Sequence, residues 1–365
     1  MYRQESHDRP FILRFFTRLF VIVILLVLVT VSLFAAFMVL TDYKPEETTA
    51  PMIDGTPGYG AAQLDTPYTA VTYHIGGGIL GAAQDSFWEG GDNAAAESLE
   101  EVEANLSAVR RTLGKGYDFI LLQEVDTDSG RSFHMDQSAA LAEQFGEKYQ
   151  HAFAIDYQIP FMPLPPTDPT GGVKSGLQVF SQVLLESVTR YRLDADVNML
   201  LRPFLPDSCF VATVVPVEGG RNLILINVHF SGYGQSAAVQ AQQMAQLNAF
   251  IEQQNARDYV IVGGAWNRGL PGTPTFPNGW KGETPGWAAK MPKEFASGST
   301  QWAIDIQTPT RRALDNPYSE DKSFAAVTDG FLVSSNVEIV SVKTQNLGFR
   351  NSAHNPVVLE FILKG

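Results

Sequence analysis

Six short blocks in this 365-residue chain each close an apolar, strand-like run with a polar residue. In order they are Thr72-Tyr73-His74-Ile75, Leu121-Leu122-Gln123-Glu124-Val125-Asp126, Asn227-Val228-His229-Phe230, Gly263-Gly264-Ala265-Trp266-Asn267, Thr328-Asp329-Gly330-Phe331 and Ser352-Ala353-His354-Asn355-Pro356. A row of strands that each deliver one carboxylate, amide or imidazole to a common edge assembles a site for hydrolysing phosphate esters. Other hydrolytic signatures are missing from the sequence. Gly76-Gly77-Gly78 lacks the Gly-Lys-Ser/Thr of a phosphate-binding loop and reads as a flexible connection. There is no Gly-x-Ser-x-Gly elbow and no His-Glu-x-x-His helix.

The elements that must position these blocks alternate strands with a few helices. Ala70–Ile75, Tyr117–Gln123, Ser175–Gln182, Cys209–Val217, Asn222–Phe230, Asp258–Gly263, Val327–Val333, Val337–Val342 and Val357–Ile362 read as strands. Glu218-Gly219-Gly220-Arg221 marks a hairpin turn. Ser98 begins a capping box with Glu101, and Leu99, Val102, Leu106, Val109 and Leu113 follow at helical spacing. A shorter helix is expected around Gln137–Phe145, and another carries Ala241, Met244, Leu247 and Ile251. The Pro- and Gly-rich stretch Ile159–Val173 reads as a long loop. A doubly wound parallel sheet would need a helix between nearly every pair of strands, and this chain has too few. Two stacked mixed sheets with helices on their outer faces are expected instead.

From Leu19 to Leu40 there is no charged residue, a run that matches the roughly 20 residues needed to cross a bilayer as a helix. It is longer than the apolar region of a cleaved signal peptide. The expected organisation is a cytoplasmic N-terminus (1–18), a transmembrane helix (19–40), an extended linker (41–66) and one globular domain (67–365). Arg3, Arg9, Arg14 and Arg18 precede the span, so the positive-inside bias places the domain outside the cell. The formal charge of −13 disfavours nucleic acid as a general partner, because phosphate binding requires a basic surface. Cys209, the sole cysteine, lies in an apolar run and reads as a buried structural thiol. Asp126 reads as a loop acid, and His151 as a structural residue at the start of a strand.

The ordered set of blocks, from about residue 69 to the C-terminus, resembles the endonuclease/exonuclease/phosphatase superfamily of metal-dependent nucleases and phosphatases. That resemblance implies a four-layer α/β sandwich and a membrane-tethered phosphoesterase with a divalent metal, Mg²⁺ in the family. Glu124 matches the metal-holding Glu. His354 matches the imidazole that bonds the scissile phosphoryl group, and Asp329 the carboxylate that orients it. A His held by a carboxylate is favoured in its charged, donor form. His229, in Asn-x-His with Asn227, resembles the second site histidine, and Asn267 the amide that places water and phosphate. Asn227 and His134 are the candidate substrate contacts.

Three positions depart from the family pattern. Ala265 stands where Gly-Asp-x-Asn has its water-orienting Asp, Ala353 where Ser-Asp-His has its acid, and His74 where Asn is usual. Loss of a general base costs about 10²–10⁴ in rate, so reduced activity is expected. A pseudoenzyme that binds a phosphorylated ligand or a protein partner is the alternative. His74 beside Glu124 is expected to add a metal ligand and to favour Mn²⁺ or Zn²⁺ over Mg²⁺.

Overall fold

A computed structural model describes residues 11–194, 196–198, 201–230, 237–278, 280–296 and 298–365. The chain divides after Asp42 into two units. The first contains helix α1 (Phe11–Leu40), long and apolar enough to cross a membrane. It begins ahead of the uncharged run, so Arg14 and Arg18 lie on its early turns.

The second unit is two stacked mixed sheets with helices on their outer faces, as expected. The first sheet contains β1 (Pro67–His74), β2 (Phe119–Asp126), β3 (Gln150–Met162) and β4 (Gly171–Ser181). The second contains β5 (Ser187–Arg192), β6 (Cys209–Val217), β7 (Arg221–His229), β8 (Tyr259–Ala265), β9 (Thr300–Ala303) and β10 (Asp329–Ser334). The chain then returns to the first sheet through β11 (Val337–Thr344) and β12 (Val357–Leu363). The sheet orders are β11-β12-β1-β2-β4-β3 and β5-β6-β7-β8-β10-β9.

Segment 41–66 is extended but not free. Thr48–Thr49 pairs with β5 and Asp54–Gly55 with β3, which adds an edge strand to each sheet. The expected loop Ile159–Val173 is also shorter than its prolines suggest. β3 runs on to Met162 and β4 starts at Gly171, with bulges absorbing the mismatch.

Two pairings among the long strands are parallel, β1 with β2 and β7 with β8. Each crosses over through a helix: α2 (Leu99–Leu113) joins the first pair and α4 (Ala237–Glu252) the second. The Ser98 hydroxyl caps α2 by accepting from the Glu101 N–H at 3.2 Å. Parallel neighbours end at the same edge, so β1, β2, β7 and β8 all deliver their last residues there. β10 runs antiparallel to β8, with Asp329 opposite Ala265, and so starts at that edge. β12 runs antiparallel to β1 and is entered just after His354. This topology gathers residues scattered over most of the sequence.

Leu121, Leu177, Leu225, Ile261, Phe331 and Leu359 pack between the sheets, all at zero exposure, and full burial of such a side chain stabilises by about 1.5–3 kcal/mol. Val109 and Leu141, from α2 and α3 (Gln137–Phe145), cover the first sheet, and Met244 and Leu247 of α4 cover the second. One polar bridge crosses this apolar middle. Gln123 Nε2 donates to Thr72 Oγ1 at 3.0 Å and to Asn227 Oδ1 at 2.8 Å, while Asn227 Nδ2 donates to the Leu122 carbonyl at 2.9 Å. The amide-to-amide bond favours one register between the sheets, although the Gln123 Oε1 atom is buried without a partner among the described residues.

Candidate metal and phosphate site

Glu124 lies near the end of β2, where a register shift between Leu122 and Val125 interrupts pairing with β4. Its backbone has φ +49°, in the left-handed region. A non-glycine residue held there is costly and recurs at functional positions. The bulge turns the carboxylate toward the imidazoles that end β1 and β7. Glu124 Oε1 is 3.6 Å from His74 Nε2 and 4.0 Å from His229 Nε2, and the two Nε2 atoms are 3.3 Å apart. The three ligand atoms lie within 4.8 Å of one another, and all three residues are buried.

The charges support this cluster. Burial pushes the His74 imidazole down to about 4, with the nearby His354 adding to the effect, so His74 is a neutral donor. Burial alone would raise the Glu124 carboxyl, but His74 and the Arg131 guanidinium, 3.4 Å from Oε2, hold it well below the usual range. His229 is likewise opposed by burial. The Asp156 carboxylate, 3.0 Å from Nδ1, outweighs that and raises it. With Nδ1 donating to Asp156, the neutral ring of His229 would offer its Nε2 lone pair to an ion in the cluster, the usual carboxylate–histidine support for a metal ligand. His74 lacks such support: its Nδ1 is buried without a partner among the described residues.

The second feature is the His354–Asp329 pair, with His354 Nδ1 at 2.9 Å from Asp329 Oδ1. Thr328 Oγ1 donates to Asp329 Oδ2 at 2.9 Å, and Thr310 Oγ1 accepts from the Asp329 backbone N–H. The His354 ring stacks on His74 at 4.2 Å between centroids. Burial lowers His354, and Arg311 and His229 lower it further, against the Asp329 carboxylate. That balance works against the charged, donor form expected of His354, and with Nδ1 facing Asp329 its Nε2 is the ring nitrogen left for a ligand.

Ala265 pairs with both His229 and Asp329 across its two neighbouring strands and is fully buried. Asn267 has φ +47° and is committed on both sides: Nδ2 donates to the Phe230 carbonyl, and Oδ1 accepts from Arg311. Arg311 in turn bonds Glu89 at 2.6 Å and lies 3.9 Å over the Trp287 ring.

Thus His74, Glu124, His229, Asp329 and His354 converge, with Asn267 held beside them through Arg311. Asn227 stands below them as the inter-sheet bridge, so the substrate contact expected of it is not what its amide does. His134 stands apart, its side chain exposed and its ring nitrogen 2.6 Å from Asp128. Asp126 is no loop acid: it is fully buried on β2 and binds Arg131 at 2.9 and 3.0 Å. The glycine run is no flexible connection either. Gly76, Gly77 and Gly78 are buried at positive φ, and a Cβ on Gly77 would sit 2.7 Å from the Asp126 carboxylate. Cys209 is buried, as expected.

Asp156, Arg131, Arg311 and Glu89 were not singled out by the sequence blocks. Asp156 left a trace, as an acid inside an apolar strand. Arg311 and Glu89 lie in segments with no periodicity to mark them.

By sequence, the chain matches no family profile and no curated protein. Its structure is similar to an endonuclease/exonuclease/phosphatase from Beutenbergia cavernae, at 18% identity and TM-score 0.54, covering 82% of this chain and 72% of that one. A family protein from Leptotrichia buccalis aligns at 12% identity and TM-score 0.52, over 80% of this chain and 99% of its own. ANGEL2, described as a 2′,3′-cyclic phosphatase, aligns at 12% and TM-score 0.50, over 88% and 100%. With its two stacked sheets and its order of strands, the chain has the fold of the endonuclease/exonuclease/phosphatase proteins.

Proposed function

We propose that this chain is a membrane-tethered, outward-facing hydrolase of phosphoric esters that works with a divalent ion held by His74, Glu124 and His229. The observation that carries the reading is the spacing of those ligand atoms, 3.3, 3.6 and 4.0 Å. A tetrahedral ion with bonds of about 2.0–2.2 Å places its ligands roughly 3.3–3.6 Å apart. Two imidazoles and one carboxylate suit Zn²⁺ or Mn²⁺ better than Mg²⁺, which takes oxygen ligands and keeps its waters. Such an ion, when bound, polarises a phosphoryl oxygen and makes water more acidic.

The chain's own residues supply the rest. His354 Nε2, unprotonated and steadied through Asp329, accepts the proton of the attacking water as its oxygen bonds to phosphorus. The ester P–O bond breaks, the released alkoxide takes a proton from solvent water, and His354 returns the proton it accepted to solvent, which restores the neutral imidazole. His354 thereby takes over the base function that the methyl group of Ala265 cannot perform. The buried Arg311, through Asn267, sets the amide at the rim. Helix α1 is read as the anchor, with the N-terminus inside on the basis of Arg3, Arg9, Arg14 and Arg18 ahead of the uncharged run.

The test is turnover of bis(p-nitrophenyl) phosphate and p-nitrophenyl phosphate by the full chain with Zn²⁺, Mn²⁺ or Mg²⁺. His354→Ala is expected to lose about 10²–10⁴-fold in kcat while retaining bound metal, and His74→Ala to lose both. No hydrolysis by a metal-loaded chain would overturn the reading. It would favour the binding-only alternative, for which the relevant observation is that Ala265 and Ala353 are packed at zero exposure.

A further inference from the structure

Next to the cluster the fold leaves a cavity of about 460 Å³, with Glu124 and His229 on one wall. That is within the roughly 300–1,000 Å³ of small-molecule sites and far beyond the ~30 Å³ share of a water. The reaction at phosphorus makes no use of such a space. Its other walls include Leu80, Trp88, Met162, Leu164, Val173 and Leu205. Arg131 also lines it, but its guanidinium is committed to Asp126 and Glu124.

Asp85, Ser86, Asn93, Tyr157, Thr170 and Ser175 also line it, but most of the accessible wall is apolar, so a nucleobase or sugar would leave several of its polar atoms unpaired, which is costly. A hydrocarbon chain carries no polar atom to pair. Leu164 and Trp88 are exposed in part, so apolar surface continues from the cavity to solvent. Only a few residues separate α1 from the paired strand at Thr48, and a chain reaches at most about 3.6 Å per residue. On the reading of α1 as a membrane anchor, bilayer-borne esters are the substrates that the tether holds at high effective concentration.

We propose that the cavity receives the hydrocarbon part of a lipid phosphate ester and seats its phosphoryl group against His229 and Glu124. This rests on reading the site as a phosphoesterase. The test uses the full chain in an amphipathic polymer, free of detergent, with Zn²⁺ or Mn²⁺ and alkyl p-nitrophenyl phosphates from methyl to octyl. Because each buried methylene contributes about 0.8 kcal/mol, kcat/KM is expected to rise about three- to fourfold per carbon until the cavity is filled. Leu205→Trp and Met162→Trp should lower the octyl-to-methyl ratio at least tenfold.

Calorimetric binding of octyl phosphate, inorganic phosphate and 1-octanol provides a second measurement that needs neither turnover nor a folded variant. Octyl phosphate is expected to bind at least a hundredfold tighter than either of the others. Turnover independent of chain length would overturn this inference and leave the phosphoesterase reading standing. Chain-dependent binding without turnover would support the cavity and overturn the hydrolysis. Octanol binding as tightly as octyl phosphate would overturn the phosphoryl placement. Absence of both binding and turnover would overturn both proposals.

Discussion

Among the described residues, His74 brings a second imidazole to a carboxylate that also faces His229 and Arg131, and this extends a carboxylate–imidazole pair into a three-donor set. The support for the two imidazoles is unequal. His229 is steadied by Asp156, and Asp156→Asn is expected to weaken Zn²⁺ affinity about 10–100-fold, measured by competition with a chromogenic chelator. The alanines behave differently from one another. Ala353 packs with Ile79, Leu80, Val102 and Leu314, so Ala353→Asp would place a carboxylate among aliphatic groups. We expect it to cost at least ~2 kcal/mol in denaturant unfolding and to restore no activity. Of the converging side chains, those that end apolar runs were legible in the sequence, because a polar residue closing a strand is a local signal. Asp156 was obscure because the bulge between Ile155 and Tyr157 sets which face it occupies. Arg311 reaches the site from the short strand Arg311–Arg312, which pairs with Ala325–Ala326 outside the two large sheets and which no local pattern announces.

The two parallel strand pairs are the elements that bring the site together, and their tolerances are tight. A Cβ on Gly264 of β8 would run into the Val228 backbone carbonyl of β7 and meet the Val228 side chain at 2.8 Å. Gly264→Ala is therefore expected to cost about 3 kcal/mol or more, read as a lowered denaturant midpoint or a failure to fold. Another element-scale link is Asp207, just ahead of β6. It accepts from the Gln158 N–H of β3 at 3.1 Å and from Arg202 at 2.9 Å. Burial raises its carboxyl to about 6 despite Arg202. A folded carboxyl that holds its proton more tightly than the unfolded one, near 3.9, loses stability as pH rises from about 4 to 6. The expected loss is on the order of 2 kcal/mol at neutral pH. Asp207→Asn should flatten that slope in denaturation at pH 4.5 and 7; an unchanged slope would assign it to other groups. Strand periodicity and the Ser98 cap made most elements legible, whereas the prolines of 159–173 concealed how far β3 and β4 extend. Proline removes a donor, but an edge strand with bulges tolerates it.

At the scale of the whole molecule, the proposed phosphoester chemistry rests on three features: an apolar helix long enough to cross a membrane, a two-sheet sandwich, and a cavity beside His74, Glu124 and His229. The fold was legible because the blocks come in a fixed order along alternating strands. The cavity was not, since its walls come from loops and strand ends far apart in sequence. Metal that binds only the folded state stabilises it by about 2.7 kcal/mol at a hundredfold excess over Kd, so chelation should lower the thermal midpoint of the sandwich. The most direct test of the central claim is Zn²⁺ titration of the metal-free full chain, with X-ray absorption on the loaded protein. The account predicts one tightly bound ion per chain, with two imidazoles and a carboxylate in its coordination shell and binding lost in His74→Ala and His229→Ala. A chain that takes up no ion, or binds it equally well without those histidines, would contradict it.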